Sequence, residues 1–345
     1  MPGKGKRPTM KDVAHLANVS YQTVSYVVND IPVVAEETRQ RVLDVIQRLG
    51  YTPDAAARSL RSGKTNIIGL MIPDANNPHF WETVSGAEDE ALAHGYSLLL
   101  ATTAMDRERE RRAFDTLIQQ RLDGLIPLFT YPEDFVTDLK MLKRRHIPVA
   151  ISTSGAPFPD VEVDLVHMHF EDATRELMDH LLGLGHRRIA LIRGVGRSEL
   201  ASDRTMAYRQ ALETAGIPFD SRLLVLCGNT LEDGFRAAER LLDLDPRPTA
   251  IIGINDLMAF GAMQAALRRA LRIPADISIA GFDDVPMSSL LSPPLTSGCA
   301  DGVEIGRQCV RLVLERLRDP DLPLRQVHLS TRLIVRDSTG SAQGD

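Results

Sequence analysis

The chain is short of the residues and runs that mark several protein classes. Its 345 residues contain three cysteines, Cys227, Cys299 and Cys309, with no CxxC pair. That excludes a disulfide framework or a zinc-finger arrangement and leaves three thiols expected to be buried packing residues. No apolar run approaches the ~18 residues of a membrane span, and residues 1–9 are polar rather than a signal peptide. A cytoplasmic chain with no membrane partner is expected. No serine stands in a GxSxG elbow and no nucleophile-base pair can be inferred, so no catalytic residue is assigned and no enzyme is expected. Arg193-Gly194-Val195-Gly196 lacks the third glycine of a dinucleotide loop and reads as a flexible cleft loop. His167 and His169, two apart, need further converging ligands to bind a metal, and the sequence supplies none. No cofactor or metal is expected. The charge run at 107–112, with Glu108 and Glu110 interleaved, reads as a solvated helix face.

What is present is unevenly charged. Residues 1–64 hold ten Lys plus Arg against six Asp plus Glu, whereas the other 281 hold 30 against 40. Only the N-terminal part should be drawn to nucleic acid, and Lys4, Lys6 and Arg7 can add salt-sensitive phosphate contacts without sequence information. Within it, Thr9 can cap a helix with Met10, Val13, Ala14 and Ala17 at three- and four-residue steps and Asp12 in its first turn, ending near Asn18. Ser20 can cap a second helix, with Val24, Val27 and Val28 inward and Tyr21, Gln22, Ser25, Tyr26 and Asn29 outward. This is helix-turn-helix spacing. Gln can bridge adenine N6 and N7, while hydroxyls and helix-start amides hold phosphates. A helical hairpin with an ordinary solvated face would show the same pattern. A third helix, Glu36–Leu49, carries Val42, Leu43, Ile46 and Leu49 on one face and stops at Gly50. Pro53 then opens an alanine-rich segment with Arg58 and Arg61, too short to be a stable helix in isolation.

The run Leu49-Gly50-Tyr51-Thr52-Pro53 followed by Ala56-Ala57-Arg58-Ser59-Leu60, preceded by Val19-Ser20-Tyr21-Gln22-Thr23-Val24-Ser25 and Asn29, resembles the LacI/GalR family of bacterial transcription regulators. The resemblance implies a recognition helix in the major groove and paired hinge helices in the minor groove. There Leu60 would wedge into the central base step with Ala57 beside it, unless Leu60 is a core residue of a fourth helix. Candidate DNA contacts are therefore Thr9, Ser20, Tyr21, Gln22, Thr23, Ser25, Tyr26, Asn29, Ala57 and Leu60. Tyr26 stands where many relatives place arginine or histidine, so the operator half-site should differ at that base.

Beyond the hinge, apolar strands are expected at 67–72, 96–101, 124–129 and 148–151, separated by helices near 78–94, 107–121 and 133–145. A second series follows, with strands at 189–192, 223–227, 250–254 and 277–280 and helices near 170–184, 199–215, 231–242 and 256–270. Two such series imply an α/β body with two parallel sheets, each covered by helices, and a cleft where their carboxyl edges face. That matches the periplasmic-binding-protein architecture the resemblance implies. The expected divisions are headpiece 1–51, hinge and linker 52–65, an N-subdomain of 66–166 with 302–328, a C-subdomain of 167–301 with 329–340, and a polar tail at 341–345. The last strand is expected near 327–335, and the polar end beyond it lacks leucine heptads, so a tetramer built on a C-terminal zipper is not expected.

By position, the resemblance makes Arg204, Asn255 and Asp283 effector contacts; guanidinium, amide and carboxylate are planar groups that each engage two hydroxyls. Asp256 and Asp284 are expected to cap following helices. His79 and Phe80 border the cleft, as ligand contacts or as helix-start packing. Thr153 and Thr230 stand where relatives often have an aspartate and an aromatic, so fewer acids and one less stacking face are expected. The reading is a homodimeric regulator, expected to repress, on a pseudo-palindromic double-stranded operator, answering to a small sugar-like effector. A regulator answering to a protein partner, or a solute-binding protein, are the alternatives.

Overall fold

The computed structural model describes residues 8–52, 64–154, 161–194 and 203–342. The hinge with Ala57 and Leu60, the basic residues Lys4, Lys6 and Arg7, and the Val195-Gly196 pair lie outside the described residues. Residues up to Thr65 form one compact unit and Asn66 onward a second.

In the first unit, α1 (Met10–Ala17) begins with a reciprocal cap, Thr9 and Asp12 bonding each other's backbone amides, and ends on Asn18 at φ 53°. Ser20 caps α2 (Tyr21–Val28) and Gly50, at φ 61°, closes α3 (Glu36–Leu49). Val13, Ala17, Val24, Val27, Val42 and Val45 form the core with Tyr51. The face of α3 differs from expectation: Leu43 is exposed, and Val45 takes its place inside.

The second unit starts with β1 (Ile67–Ile72), α4 (Pro78–Ala93), β2 (Ser97–Thr102), α5 (Arg107–Gln119), β3 (Gly124–Pro127), α6 (Val136–Arg144), β4 (Ala150–Ser154) and β5 (Asp164–His169). Strands β2, β1 and β3 pair in that order, β4 pairs with β5, and one parallel bridge, Leu125 to Val149, joins the two groups into a first lobe. The chain then enters a second lobe through α7 (Phe170–Gly183), β6 (Ile189–Arg193), α8 (Asp203–Thr214), β7 (Leu224–Leu226), α9 (Leu231–Leu242), β8 (Ala250–Gly253), α10 (Asp256–Arg268), β9 (Ser278–Asp283) and β10 (Thr296–Cys299). It returns with α11 (Gly302–Arg318) and β11 (Gln326–Ser330), which extends the first sheet beside β5, and crosses once more to β12 (Arg332–Ile334). The second sheet runs β12-β10-β9-β8-β6-β7. It is parallel except at its edge, where β12 lies antiparallel to β10. Strands β5, β10 and β12 and helix α11 were not assigned from periodicity, and the expected last strand is two, broken at Thr331.

Three connections thus join the lobes, at 169–170, 300–301 and 331. Thr331 straps two of them, its hydroxyl donating to the His169 carbonyl at 2.5 Å and accepting from the Ala173 amide at 3.2 Å. Helices α4 and α11 cross so closely that a Cβ on Gly306 would stand 2.0 Å from the Thr83 carbonyl oxygen. Asp164, 1 % exposed, is clamped by Arg316 at 2.7 Å and Arg325 at 3.0 Å, fixing the starts of β5 and β11 against the end of α11. Burial alone would raise its pKa, but the two guanidiniums hold it below the usual carboxylate value. Residues 338–342 pack on the second lobe: Ser338 bonds the Ile279 carbonyl at 2.6 Å and the Ala342 amide reaches the Leu184 carbonyl at 2.9 Å. Cys309 is fully buried, its thiol pushed up to about 12, whereas Cys227 and Cys299 are only half-buried. No helix among the described residues is long and apolar enough to cross a membrane.

Candidate functional site

The outward face of α2 divides into caps and free groups. Ser20 accepts the Thr23 amide at 3.0 Å and its hydroxyl lies 2.9 Å from that of Thr23, so both serve the helix start. Asn29 donates to the Ser25 carbonyl at 2.6 Å and to the Ser25 hydroxyl at 3.2 Å, closing the other end. Tyr21 and Gln22 are exposed, and Gln22 donates to the Tyr26 phenol at 2.6 Å, which orients both polar tips together. Thr9 is held by Asp12.

In the second unit a cleft of about 250 Å³ lies between the lobes, lined by residues that follow the carboxyl ends of strands from both sheets. The first lobe contributes Asn77 and His79 after β1. Asn77 caps α4 through the His79 amide at 3.0 Å, Pro78 fills the first helical position, and Phe80 and Thr83 come one and four residues on from His79. Thr130 follows β3, and Ser152 and Thr153 end β4. The His79 Nδ1 and the hydroxyls of Thr83, Thr130 and Ser152 are buried, and none bonds a described residue. The four residues all line the cavity.

Glu110 explains how Thr130 is placed. Within a run read as solvated, Glu110 is fully buried, accepting the Thr130 amide at 2.6 Å and the Tyr131 amide at 3.0 Å. Burial raises its pKa, against those two bonds. Its neighbours do face outward: Arg107 pairs with Glu133 and Asp134, and Arg111 with Asp138.

The second lobe contributes Arg193 at the end of β6, Arg204 on α8, Asn229 after β7, Asn255 after β8 and Asp283 at the end of β9. Arg204 donates to the Ile254 carbonyl at 2.7 Å and lies 4.1 Å from the Phe170 ring centre. Burial lowers its pKa, opposed by Asp283 and Asp203 and reinforced by Arg193. Asn255 both lines the cleft and caps α10, its side-chain oxygen accepting the Met258 amide at 2.9 Å. Asp283 sits at φ 107° and accepts from Asn77 at 3.0 Å, a bond that crosses from one lobe to the other. Asn229 crosses too, its amide nitrogen 2.8 Å from the Met105 sulfur.

His79, Phe80, Thr153, Arg204, Asn255 and Asp283 thus share one cavity, but Thr230 does not. Thr230 is exposed and caps α9 reciprocally with Asp233; the residue before it, Asn229, faces the cleft. Asp256 and Asp284 are not helix caps either. Asp256 accepts from the Val285 amide and the Ser288 and Ser297 hydroxyls, tying α10 to the loop after β9 and to β10. Burial, then the charge of Asp283, pushes its pKa up to about 8. Asp284 pairs with Arg336 at 2.7 Å. His167 and His169 are joined by His328 on the neighbouring strand, with His169 Nε2 and His328 Nδ1 2.7 Å apart. The reading from sequence passed over Arg193, Asn229, Thr83, Thr130 and Ser152. Most come at or just after a strand's carboxyl end, and Thr83 stands one helical turn beyond His79, so those positions carried the signal.

A profile described as bacterial regulatory proteins, lacI family, matches residues 9–54, and one described as periplasmic binding protein-like domain matches 178–339. The ribose operon repressor of Escherichia coli is 35% identical over 330 residues, covering 96% of this chain and 99% of that protein. The HTH-type transcriptional repressor PurR of Haemophilus influenzae is 34% identical over 337 residues, covering 96% and 99%. Among solved structures, the lac repressor dimer bound to operator and the anti-inducer ONPF superposes with a TM-score of 0.84 at 28% identity, covering 97% of this chain and 100% of that one.

Proposed function

This chain belongs to the lacI family of bacterial regulatory proteins, as a DNA-binding transcriptional repressor, and from that premise we propose that a small molecule in the interlobe cleft controls its operator affinity. The observation that carries the proposal is that polar side chains of both lobes line one cavity, His79, Thr83, Thr130 and Ser152 from the first and Arg204, Asn255 and Asp283 from the second. Hydroxyls bonded by such groups on both sides belong to a sugar or a related metabolite. At about 250 Å³ the cleft is slightly below the ~300–1,000 Å³ usual for small-molecule sites, which suits a monosaccharide-sized ligand.

The chain acts as a homodimer on a pseudo-palindromic operator. Tyr21, Gln22 and Tyr26 read base edges, while Thr9, Ser20, Thr23, Ser25 and Asn29 hold the backbone or the helix that presents them. Ala57 and Leu60 keep the minor-groove role the resemblance assigns them. The lobes exchange the Asn77–Asp283 and Asn229–Met105 contacts for contacts to ligand, pivoting on three short connections, and the change of angle sets whether two hinge segments can pair.

The test is selection of binding sites from random duplex DNA by the full-length protein, followed by anisotropy titration of the enriched site with a panel of sugars and sugar derivatives. An inverted repeat whose binding responds to a panel member is the expected result. An enriched repeat indifferent to every ligand would overturn control through the cleft.

A further inference from the structure

Three histidines that do not line the cleft gather at the carboxyl end of the first sheet. His167 and His169 lie two apart on β5, so both side chains leave the same face of the strand, and His328 stands opposite His167 in the register of β11. The ring centres are 4.4 Å apart for His167 and His169, 4.9 Å for His169 and His328, and 5.9 Å for His167 and His328. His169 Nε2 and His328 Nδ1 are 2.7 Å apart, a hydrogen bond that needs a proton on one ring and a lone pair on the other. Two imidazolium rings cannot make it.

The cluster sits on two of the three interlobe connections. His169 ends β5, and Phe170 already begins α7 of the second lobe. His328 lies three residues before Thr331, the residue that straps the His169 carbonyl to the start of α7. The flanking strands add no other charge: β4 holds no charged residue, and β11 none besides His328. In α7, Asp172 pairs with Arg175 and Glu176 accepts the Leu333 amide, while Glu171, and Arg332 on β12, are exposed. Burial lowers the pKa of His167, as do His169 and His328, and Asp203, which begins α8 in the second lobe, opposes them. Repulsion among the three rings stays within the first lobe and favours neither lobe angle. The attraction between a protonated His167 and Asp203 crosses from lobe to lobe and weakens when they part.

We propose that His167, His169 and His328 form a proton-sensitive element at the interlobe pivot, and that a proton taken up there holds Asp203, and with it the second lobe, in the arrangement described here. The inference draws on the lobe-angle reading above only for its consequence at the operator. Its sign follows from linkage. The arrangement that keeps Asp203 close binds the proton more tightly, so it gains population as pH falls below the ordinary histidine value of about 6.5 and loses that advantage above it. A proton affinity that differs ~3- to 10-fold between the two arrangements shifts their ratio by up to the same factor.

The experiment places spin labels at Lys140→Cys on α6 and Gln210→Cys on α8 of the full-length protein, in a Cys227→Ser, Cys299→Ser background diluted with unlabelled protein. Double electron-electron resonance at pH 7.5 and pH 5.5, with a metal chelator present, reads the interlobe distance, and anisotropy at the same two pH values reads affinity for the enriched operator. Acidification should raise the population of the arrangement described here, relative to the other, by ~3- to 10-fold, and operator affinity should change with it. His167→Gln and Asp203→Asn should each flatten both responses, with their melting temperatures at pH 7.5 showing that they are folded. Both variants keep His186, so its own titration cancels in the comparison with wild type. An interlobe distance indifferent to pH, or a shift that survives in either folded variant, would overturn the inference and leave the effector reading standing. A distance shift that both variants remove, with operator affinity unchanged, would support the cluster and refute control of the operator by lobe angle.

Discussion

Arg204 is held by an aromatic ring, a backbone carbonyl and an interlobe carboxylate's field at once, so its guanidinium reaches the cavity already oriented. Orientation bought before binding lowers the entropy lost on binding. Arg204→Ala is therefore expected to raise the ligand concentration for half-response by at least ~10-fold, as charge-assisted bonds of this kind are worth more than neutral ones. Anisotropy of a labelled operator reads it, and an unchanged half-response would take Arg204 out of the site. At this scale the sequence was partly legible. Arg204, Asn255 and Asp283 line the cleft, at the positions the family resemblance pointed to. Thr230 was misplaced by one residue, since capping α9 turns its hydroxyl to Asp233 while the preceding Asn229 faces inward. Arg193 was read only as part of a cleft loop, although its place at a strand's carboxyl end already marked it as a lining candidate.

At the scale of elements, helix starts were the most legible feature. Thr9 and Ser20 cap within three residues of themselves, so sequence contains both partners. Faces set by a neighbour were not. Glu110 lies in an alternating charge run, and only the loop after β3 supplies the two amides that bury it. The crossing of α4 and α11 is of the same kind: Gly306 faces backbone, with the Thr83 carbonyl 2.0 Å and the Ala87 nitrogen 2.6 Å from where a Cβ would be. Gly306→Ala must push the helices apart, at a cost of about 1–3 kcal/mol. Urea unfolding should show a lower midpoint with unchanged slope. Since Thr83 lines the cleft from that helix, ligand affinity should fall with it. A midpoint equal to wild type would mean that the helices separate freely.

For the whole molecule, closure of the second lobe depends on His186, which joins Thr249 at 2.9 Å, Ser278 at 3.0 Å and the Gly340 carbonyl at 2.9 Å. Burial lowers its pKa, so the neutral ring is the folded form. A lowered folded value means its stabilisation is complete above the ordinary value of about 6.5 and is lost as pH falls through the lowered one. The melting temperatures of wild type and His186→Asn should accordingly lie apart at pH 7.5 and draw together toward pH 5.5. A gap that stays constant or widens on acidification would rule out this linkage. Asp164, with its pKa also lowered, adds a loss of the same sign at more acid pH.

The sequence alone determined the three-helix headpiece, the family and the two series of strand and helix, because caps, heptad-scale apolar spacing and a long motif run are interactions between near neighbours. Tertiary structure decided which residues meet in the cleft. Asn77 and Asp283 bond across 206 positions of chain, and Arg193, Thr130 and Ser152 reach the same cavity from separate strand ends. The antiparallel edge at β12, the buried Glu110 and the third histidine beside His167 and His169 were settled the same way. The physical reason is common to all of them: a side chain's role depends on burial and on the partner that satisfies it, and for these residues the partner is distant in sequence and adjacent only in the fold.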